Sequence, residues 1–104
     1  MLAELRIYTI NKGAMEAFLD HFEKYGAPLH AAVGIKIEST WVNRAQNEFI
    51  WIRSFEDQAD RESKVKAFQE ERAKRDIVLG DNIAKMESRD IEPSMIKMLS
   101  LPGA

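Results

Sequence analysis

The sequence contains no cysteine, which excludes disulfides, thiolate nucleophiles and cysteine-ligated metals together. It has no apolar run close to the roughly 20 residues that span a bilayer, and no apolar segment follows Met1 as a signal peptide would require. Basic residues are not in excess, because the formal net charge is -2, and this argues against a nucleic-acid surface. We therefore expect a cytoplasmic soluble protein with neither a membrane nor a nucleic acid as partner.

Motifs that would name a reaction are missing as well. The sequence has no glycine-rich phosphate loop, no nucleophile elbow and no carboxylate–histidine metal motif, so no cofactor or metal is predicted. What the chain does have is an ordinary globular composition, with 45% hydrophobic and 31% charged residues. Its 104 residues suffice for one hydrophobic core, and we expect a single domain over residues 1–104.

Two stretches read as strands with apolar side chains on both faces. In Glu48–Phe55, alternation places Phe49, Trp51, Arg53 and Phe55 on one face and Ile50, Ile52 and Ser54 on the other. Leu2–Ile10 has the same double-sided character, which predicts two central strands that are covered on both sides. Ile35–Val42 alternates more cleanly between apolar and polar residues, as an edge strand does. Asn43–Asn47 then forms a polar hairpin loop.

The segments between these strands have helical patterns. After a possible cap at Asn11, apolar residues recur with helical spacing at Met15, Phe18, Leu19, Phe22 and Tyr25. Gly26 and Pro28 should interrupt this helix before a short turn through Leu29–Ala32. A second, highly charged helix is predicted for residues 57–75, with Ser54 as its cap.

For the C-terminal part of the chain, the sequence predicts one more helical turn at Asn82–Met86 and a last strand over Ile91–Leu99. The resulting order βαββαβ is that of an α+β protein with the ferredoxin-like fold, in which helices cover one face of a four-stranded antiparallel sheet. The first and third strands are then central, yet the helices reach only one of their faces. A second copy of the chain is the simplest cover for the other face, so we expect a homodimer.

Three stretches of the sequence resemble the NIPSNAP family of the dimeric α/β-barrel superfamily: ELRIYTINKGAMEAFLDHF, GIK and EFIWIRSFEDQADRE. The most specific parts are the opening strand Glu4-Leu5-Arg6-x-Tyr8-Thr9 and the strand Trp51-x-Arg53-Ser54-Phe55, which leads to Arg61-Glu62. The resemblance implies a ferredoxin-like fold whose sheets pair into a barrel across a dimer. It implies little about chemistry, because the superfamily hosts many activities.

Charged residues on the two central strands need partners, because a charge on such a strand must be paired or must line a cavity. Glu4, Arg6 and Arg53 are the candidates for ion pairs, which we expect near the subunit interface. Recognition of an acidic ligand by the arginines is the alternative.

Aromatic residues and one histidine suggest a pocket between the first helix and the sheet. Its candidate lining residues are Tyr8, Phe22, His30, Trp41 and Trp51. Such a pocket suits a small apolar or aromatic ligand in a non-catalytic dimeric binding module. The alternative is an oxygenase, cofactor-free or haem-linked, with His30 or Tyr8 handling protons. His21 and His30 lie nine residues apart, on opposite sides of an unbroken helix, and would not share a metal.

Overall fold

The computed structural model describes residues 1–92, which form one antiparallel sheet and the helices that cover one of its faces. In chain order the elements are β1 (Leu2–Ile10), α1 (Met15–His21), a π-helical turn (Phe22–Gly26), α2 (Ala27–Ala32), β2 (Lys36–Val42), β3 (Glu48–Phe55), α3 (Gln58–Lys74) and β4 (Ile83–Ile91). The strand order is β2-β3-β1-β4, so β1 and β3 are central. The predicted ferredoxin-like arrangement is confirmed.

The register between β1 and β3 decides which side chains share a face of the sheet. Glu4 lies opposite Arg53, Arg6 opposite Trp51, and Tyr8 opposite Phe49. These residues lie on the face under the helices, which we call the covered face. The opposite face, which we call the open face, carries an aliphatic set on the two central strands: Leu5, Ile7, Ile50 and Ile52.

The first helical segment is continuous where an interruption was predicted at Gly26 and Pro28. Gly26 and Ala27 both have right-handed helical dihedral angles, and the Ala27 N–H donates to the carbonyl of Phe22 five residues earlier. This wider π turn accommodates Pro28, which has no N–H and would clash with the preceding turn of a regular α-helix.

The π turn also changes which side chains face the sheet. Each residue of the π turn rotates the chain about the helix axis by less than a residue of an α-helix does. The predicted apolar stripe therefore turns away from the core. Tyr25 is therefore 45% exposed, whereas Phe18 is buried. The predicted cap at Asn11 is wrong too, since α1 starts after Ala14 without any side-chain cap.

The long helix α3 begins one turn later than its predicted cap suggested. Asp57 is the N-cap, and its carboxylate accepts a hydrogen bond from the Asp60 N–H at 2.8 Å. Ser54 belongs to β3 instead, and its hydroxyl donates to Glu38 on β2 at 2.6 Å.

The fourth strand lies earlier in the chain than predicted. The segment expected to add a helical turn, Asn82–Met86, is mostly part of β4, which pairs antiparallel with β1 from Ala3↔Ile91 to Ile10↔Ile83. Positive φ angles at Gly80 and Asn82 turn the chain into this strand. The predicted strand Ile91–Leu99 lies almost entirely outside the described residues.

The core lies between the covered face and the helices in two neighbouring clusters. The first joins α1 to the middle of the sheet: Tyr8, Ile10, Met15, Phe18, Phe49 and Trp51. The second joins α2 and α3 to the end of β3: Leu29, Ile35, Phe55 and Phe68. Within residues 1–92, no helix has the length and apolar character that crossing a membrane needs.

Candidate functional site

A cavity of about 230 Å³ lies between the covered face and the helices, where the two core clusters meet. Its lining from the sheet comprises Arg6, Tyr8, Trp51, Arg53, Ile83 and Met86; its lining from the helical segments comprises Phe18, His21, Phe22, Gly26, His30, Val65, Phe68, Gln69 and Arg72; Leu79, Gly80 and Asp81 complete it. Four of the five predicted pocket residues are in this set: Tyr8, Phe22, His30 and Trp51.

Trp41 is the predicted pocket residue that does not line the cavity. Its partner across the strands is Ile50, so it lies on the open face, and it is 50% exposed. The two tryptophans of the β2–β3 hairpin are therefore on opposite faces of the sheet.

The aromatic part of the lining is tightly arranged around Trp51. The Trp51 ring meets Tyr8 and His30 edge to face, with ring centroids 5.7 and 5.2 Å apart. Phe22 approaches it in the same way at 5.4 Å. The Trp51 Nε1–H is buried and has no acceptor among residues 1–92. These rings form the apolar part of the chamber, whose lining also carries charged side chains such as Arg6 and Arg53.

Glu4 is the centre of an ion-pair network at one side of this chamber. Its Oε1 accepts from Arg53 Nε at 2.8 Å and from Arg6 Nη1 at 2.9 Å, and its Oε2 accepts from Arg61 at 3.3 Å. Burial alone would raise the pKa of Glu4. The hydrogen bonds and charges of Arg53 and Arg6 outweigh that effect and hold the pKa below its usual value.

The predicted ion-pair residues thus meet within one chain. Glu4, Arg6 and Arg53 point to the covered face, and Arg6 also donates from Nε to the Tyr8 hydroxyl at 3.1 Å. That these residues approach a second subunit stays a prediction. The stretches that carried the family resemblance converge here, since Glu4, Arg6, Tyr8, Trp51, Arg53 and Arg61 all belong to them.

His30 is a buried histidine held in one tautomer. Its Nδ1 lies 2.7 Å from the Gly26 carbonyl, which can only accept, so Nδ1 carries the proton. Its Nε2 lies 3.2 Å from Arg53 Nη1, which can only donate, so Nε2 is the acceptor. Burial lowers the pKa of His30 to about 4, and the charges of Arg53 and Arg6 add to this against the opposing Gly26 hydrogen bond. The imidazole is therefore neutral at pH 7.

Several lining residues were not predicted, and one helical pattern could have found some of them. Val65, Phe68 and Arg72 recur at i, i+3 and i+7 along one face of α3. A stripe that ends with an arginine does not look like a core stripe, which is why Arg72 was missed. His21 and His30 both line the cavity, but within residues 1–92 no cluster of three potential metal ligands exists.

The fold and this chamber define an α+β domain of the ferredoxin-like class. The NIPSNAP family model matches residues 3–94, most of the chain. The chain therefore belongs to the NIPSNAP family.

Solved structures agree with this assignment at the level of the fold. An uncharacterized NIPSNAP domain protein from Burkholderia xenovorans is 17% identical, with a TM-score of 0.82 over 91% of this chain and 96% of that chain. A NIPSNAP family protein from Agrobacterium tumefaciens is 20% identical, with a TM-score of 0.81 over 90% and 93% of the two chains. A dimeric ferredoxin-like protein from an uncultured marine organism is 12% identical, with a TM-score of 0.58 over 86% and 89%. No curated protein matches the chain.

Proposed function

We propose that this chain is a single-domain, cytoplasmic module that binds a small apolar or aromatic molecule without transforming it, and that works as a homodimer. The observation that supports ligand binding is the chamber of about 230 Å³ beneath the helices. An apolar cavity of about 150 Å³ is enough to bind benzene, whereas drug-sized ligands use pockets above about 300 Å³. A single ring with a short substituent fits between these limits.

Two measurements test ligand binding. Native mass spectrometry of the purified protein should reveal a small molecule that copurifies, and titration with indole should shift the NMR signal of the Trp51 Nε1 proton. Val65→Phe places a ring in the chamber, so it should abolish the indole-induced shift. Val78→Phe is the matched control, because Val78 is 60% exposed and does not line the chamber. The proposal is wrong if no molecule copurifies and indole shifts no signal, or if both variants bind indole as the parent does.

The open face supports the homodimer. Its central strands present the aliphatic set Leu5, Ile7, Ile50 and Ile52, beside the half-exposed ring of Trp41. On β4 the same face is charged, since Glu87 pairs with Lys85 and Arg89. An apolar centre with a polar rim is typical of subunit interfaces, and the similar fold of the dimeric ferredoxin-like protein agrees with this arrangement.

Light scattering tests the dimer. We expect a mass of twice the 11.9 kDa of the chain at micromolar concentration. Ile52→Asp should lower it to that of one chain, because it puts a charge at the centre of the open face, whereas Val78→Asp should not. A mass of one chain for the unaltered protein would exclude the dimer.

The oxygenase alternative has one observation in its favour, which is a neutral imidazole in the wall of the chamber. Both ring nitrogens of His30 are already used, by Gly26 and by Arg53. A role as a base or haem ligand would therefore require the contact with Arg53 to break. Adding haemin and recording the Soret band tests the haem-linked form. We expect the unaltered protein and the His30→Gln variant to give the same band.

A further inference from the structure

The charges around the chamber do not balance. Arg6 and Arg53 share a single carboxylate oxygen of Glu4, while Arg61 has a carboxylate of its own, because Asp90 accepts from it at 2.6 and 3.2 Å. Since His30 is neutral at pH 7, these residues together carry one positive charge in excess. Elsewhere in the lining, Arg72 and Asp81 contribute one charge of each sign, which leaves this excess unchanged, and Arg72 donates to Gln69 at 3.5 Å.

The two arginines also have donors left over. Arg6 uses Nε for Tyr8 and Nη1 for Glu4, and Arg53 uses Nε for Glu4 and Nη1 for His30. The Nη2 groups of both make no hydrogen bond within residues 1–92. Among the described residues, Trp51 Nε1 is the only side-chain N or O atom that is both inaccessible to solvent and without a hydrogen-bond partner. The two Nη2 groups have no partner either, so they must be accessible to solvent.

These guanidinium groups are held in place before any ligand arrives. The Arg6 guanidinium carbon lies 5.5 Å from the centroid of the Tyr8 ring and 5.7 Å from that of Trp51. The corresponding carbon of Arg53 lies 5.9 Å from Trp51 and 5.6 Å from Phe55. Fixed planar donors beside a single excess charge are the arrangement that recognises a carboxylate with both of its oxygens.

We propose that the chamber takes an organic monoanion: a carboxylate bound by the outward N–H groups of Arg6 and Arg53, carried on a small aromatic or apolar body that lies among the rings. This inference rests on the proposed function and specifies the ligand class of the same site. The volume of about 230 Å³ limits the body to one ring with a short arm. A second negative charge has no excess arginine to meet it.

Two isosteric probes test the charge preference. Phenylacetate and phenylacetamide have the same size and shape, but only phenylacetate is an anion. Charge-assisted hydrogen bonds contribute roughly twice as much as neutral ones, so calorimetric titration should find phenylacetate bound about tenfold or more tightly. Equal affinities would overturn the monoanion proposal and leave the ligand-binding function standing. If neither probe binds, the monoanion proposal is wrong, and the ligand-binding function is wrong with it if indole also shifts no signal and no molecule copurifies.

Arginine variants locate the preference within the chamber. Arg6→Met should weaken phenylacetate about tenfold and change phenylacetamide little, because Glu4 keeps Arg53 and Arg61 as partners. Arg75→Met is the matched control. Arg75 directly follows α3, is exposed and pairs with Glu71. Should Arg6→Met fail to fold, Arg6→Lys retains the charge for Glu4 without the planar fork and should still weaken phenylacetate severalfold. Unchanged phenylacetate affinity in both Arg6 variants would contradict the assignment.

Discussion

The two faces of the sheet reverse the arrangement expected of an isolated domain. The covered face carries the charged residues Glu4, Arg6 and Arg53 beneath the helices, whereas the open face carries aliphatic residues that no part of residues 1–92 covers. Charged groups are costly to bury, and exposed aliphatic patches are uncommon on monomers. The covered face is therefore built around an interior chamber, and the open face is the surface on which we propose that a second copy of the chain packs.

The largest expected contrast is between the two tryptophans. Trp51→Ala removes a ring that is 2% exposed, and we expect the free energy of unfolding to fall by about 4 kcal/mol. The dimer should persist, because Trp51 lies on the covered face, and the chamber should enlarge. Trp41→Ala should instead weaken dimerisation. Urea denaturation and light scattering on both variants check this, and a reversed pattern would contradict the assignment of the faces.

The next contrast is between two arginines that both pair with a glutamate. Arg53→Met leaves Glu4 with weaker compensation and leaves His30 Nε2 without a donor, both in buried positions, so we expect a loss of about 3 kcal/mol. Arg89→Met on the open side of β4 removes a contact at 3.4 Å from an exposed side chain and should change stability by less than about 0.5 kcal/mol. Comparable melting temperatures for the two variants would exclude a buried network.

Acidification should act on the covered face through His30. The unfolded chain protonates this histidine below its ordinary pKa of about 6.5, whereas in the folded chain the pKa is about 4. Between these values the unfolded state binds more protons, so stability falls as the pH falls, by about 2 kcal/mol from pH 7 to pH 5. His30→Gln should abolish this component of the loss in urea denaturation and His21→Gln should retain it. An identical slope in both variants would show that His30 is not responsible.

The smallest contrast is between neighbouring hydroxyl groups of β1. The Tyr8 hydroxyl accepts from Arg6 at 3.1 Å on the covered face, so Tyr8→Phe should cost about 1 kcal/mol. Thr9 lies on the open face, where Thr9→Val adds to the aliphatic set and should not destabilise the protein. Thermal denaturation distinguishes these results, and a larger loss for Thr9→Val would weaken the contrast between the faces.

The sequence predicted the centre of the sheet better than its edges. The bounds of Leu2–Ile10 and Glu48–Phe55 are as predicted, because β-branched and aromatic residues fill both faces of these strands. The strand Ile83–Ile91 was missed because four of its nine residues are charged, and its propensity is not that of a strand. Pairing of its backbone with β1 overrides that propensity.

Part of the lining of the candidate site was predicted, but its geometry was not. Alternation correctly grouped Trp51 with Arg53, yet it could not decide which face the helices cover. That choice depends on the register of β1 against β3 and on where α1 and α3 pack. The tautomer of His30 depends on the Gly26 carbonyl in a π turn, for which the sequence offers no signal beyond the nearby Pro28.

The number of residues between α1 and α2, together with the width of the turn they form, determines how α2 is rotated about the helix axis relative to α1. Inserting one residue into the regular helix beside the π turn would rotate α2 by about 100° relative to α1, whereas deleting one residue of the π turn, such as Tyr25, would convert it to a regular α turn and leave α2 at nearly the same angle. With the insertion, His30 would swing away from Arg53, and the wall of the chamber would open. Gly26 adds a second constraint, because a methyl group on it would come within 2.9 Å of the Phe22 ring. Insertions should therefore be far less tolerated around Phe22–Gly26 than in the exposed hairpin loop between β2 and β3.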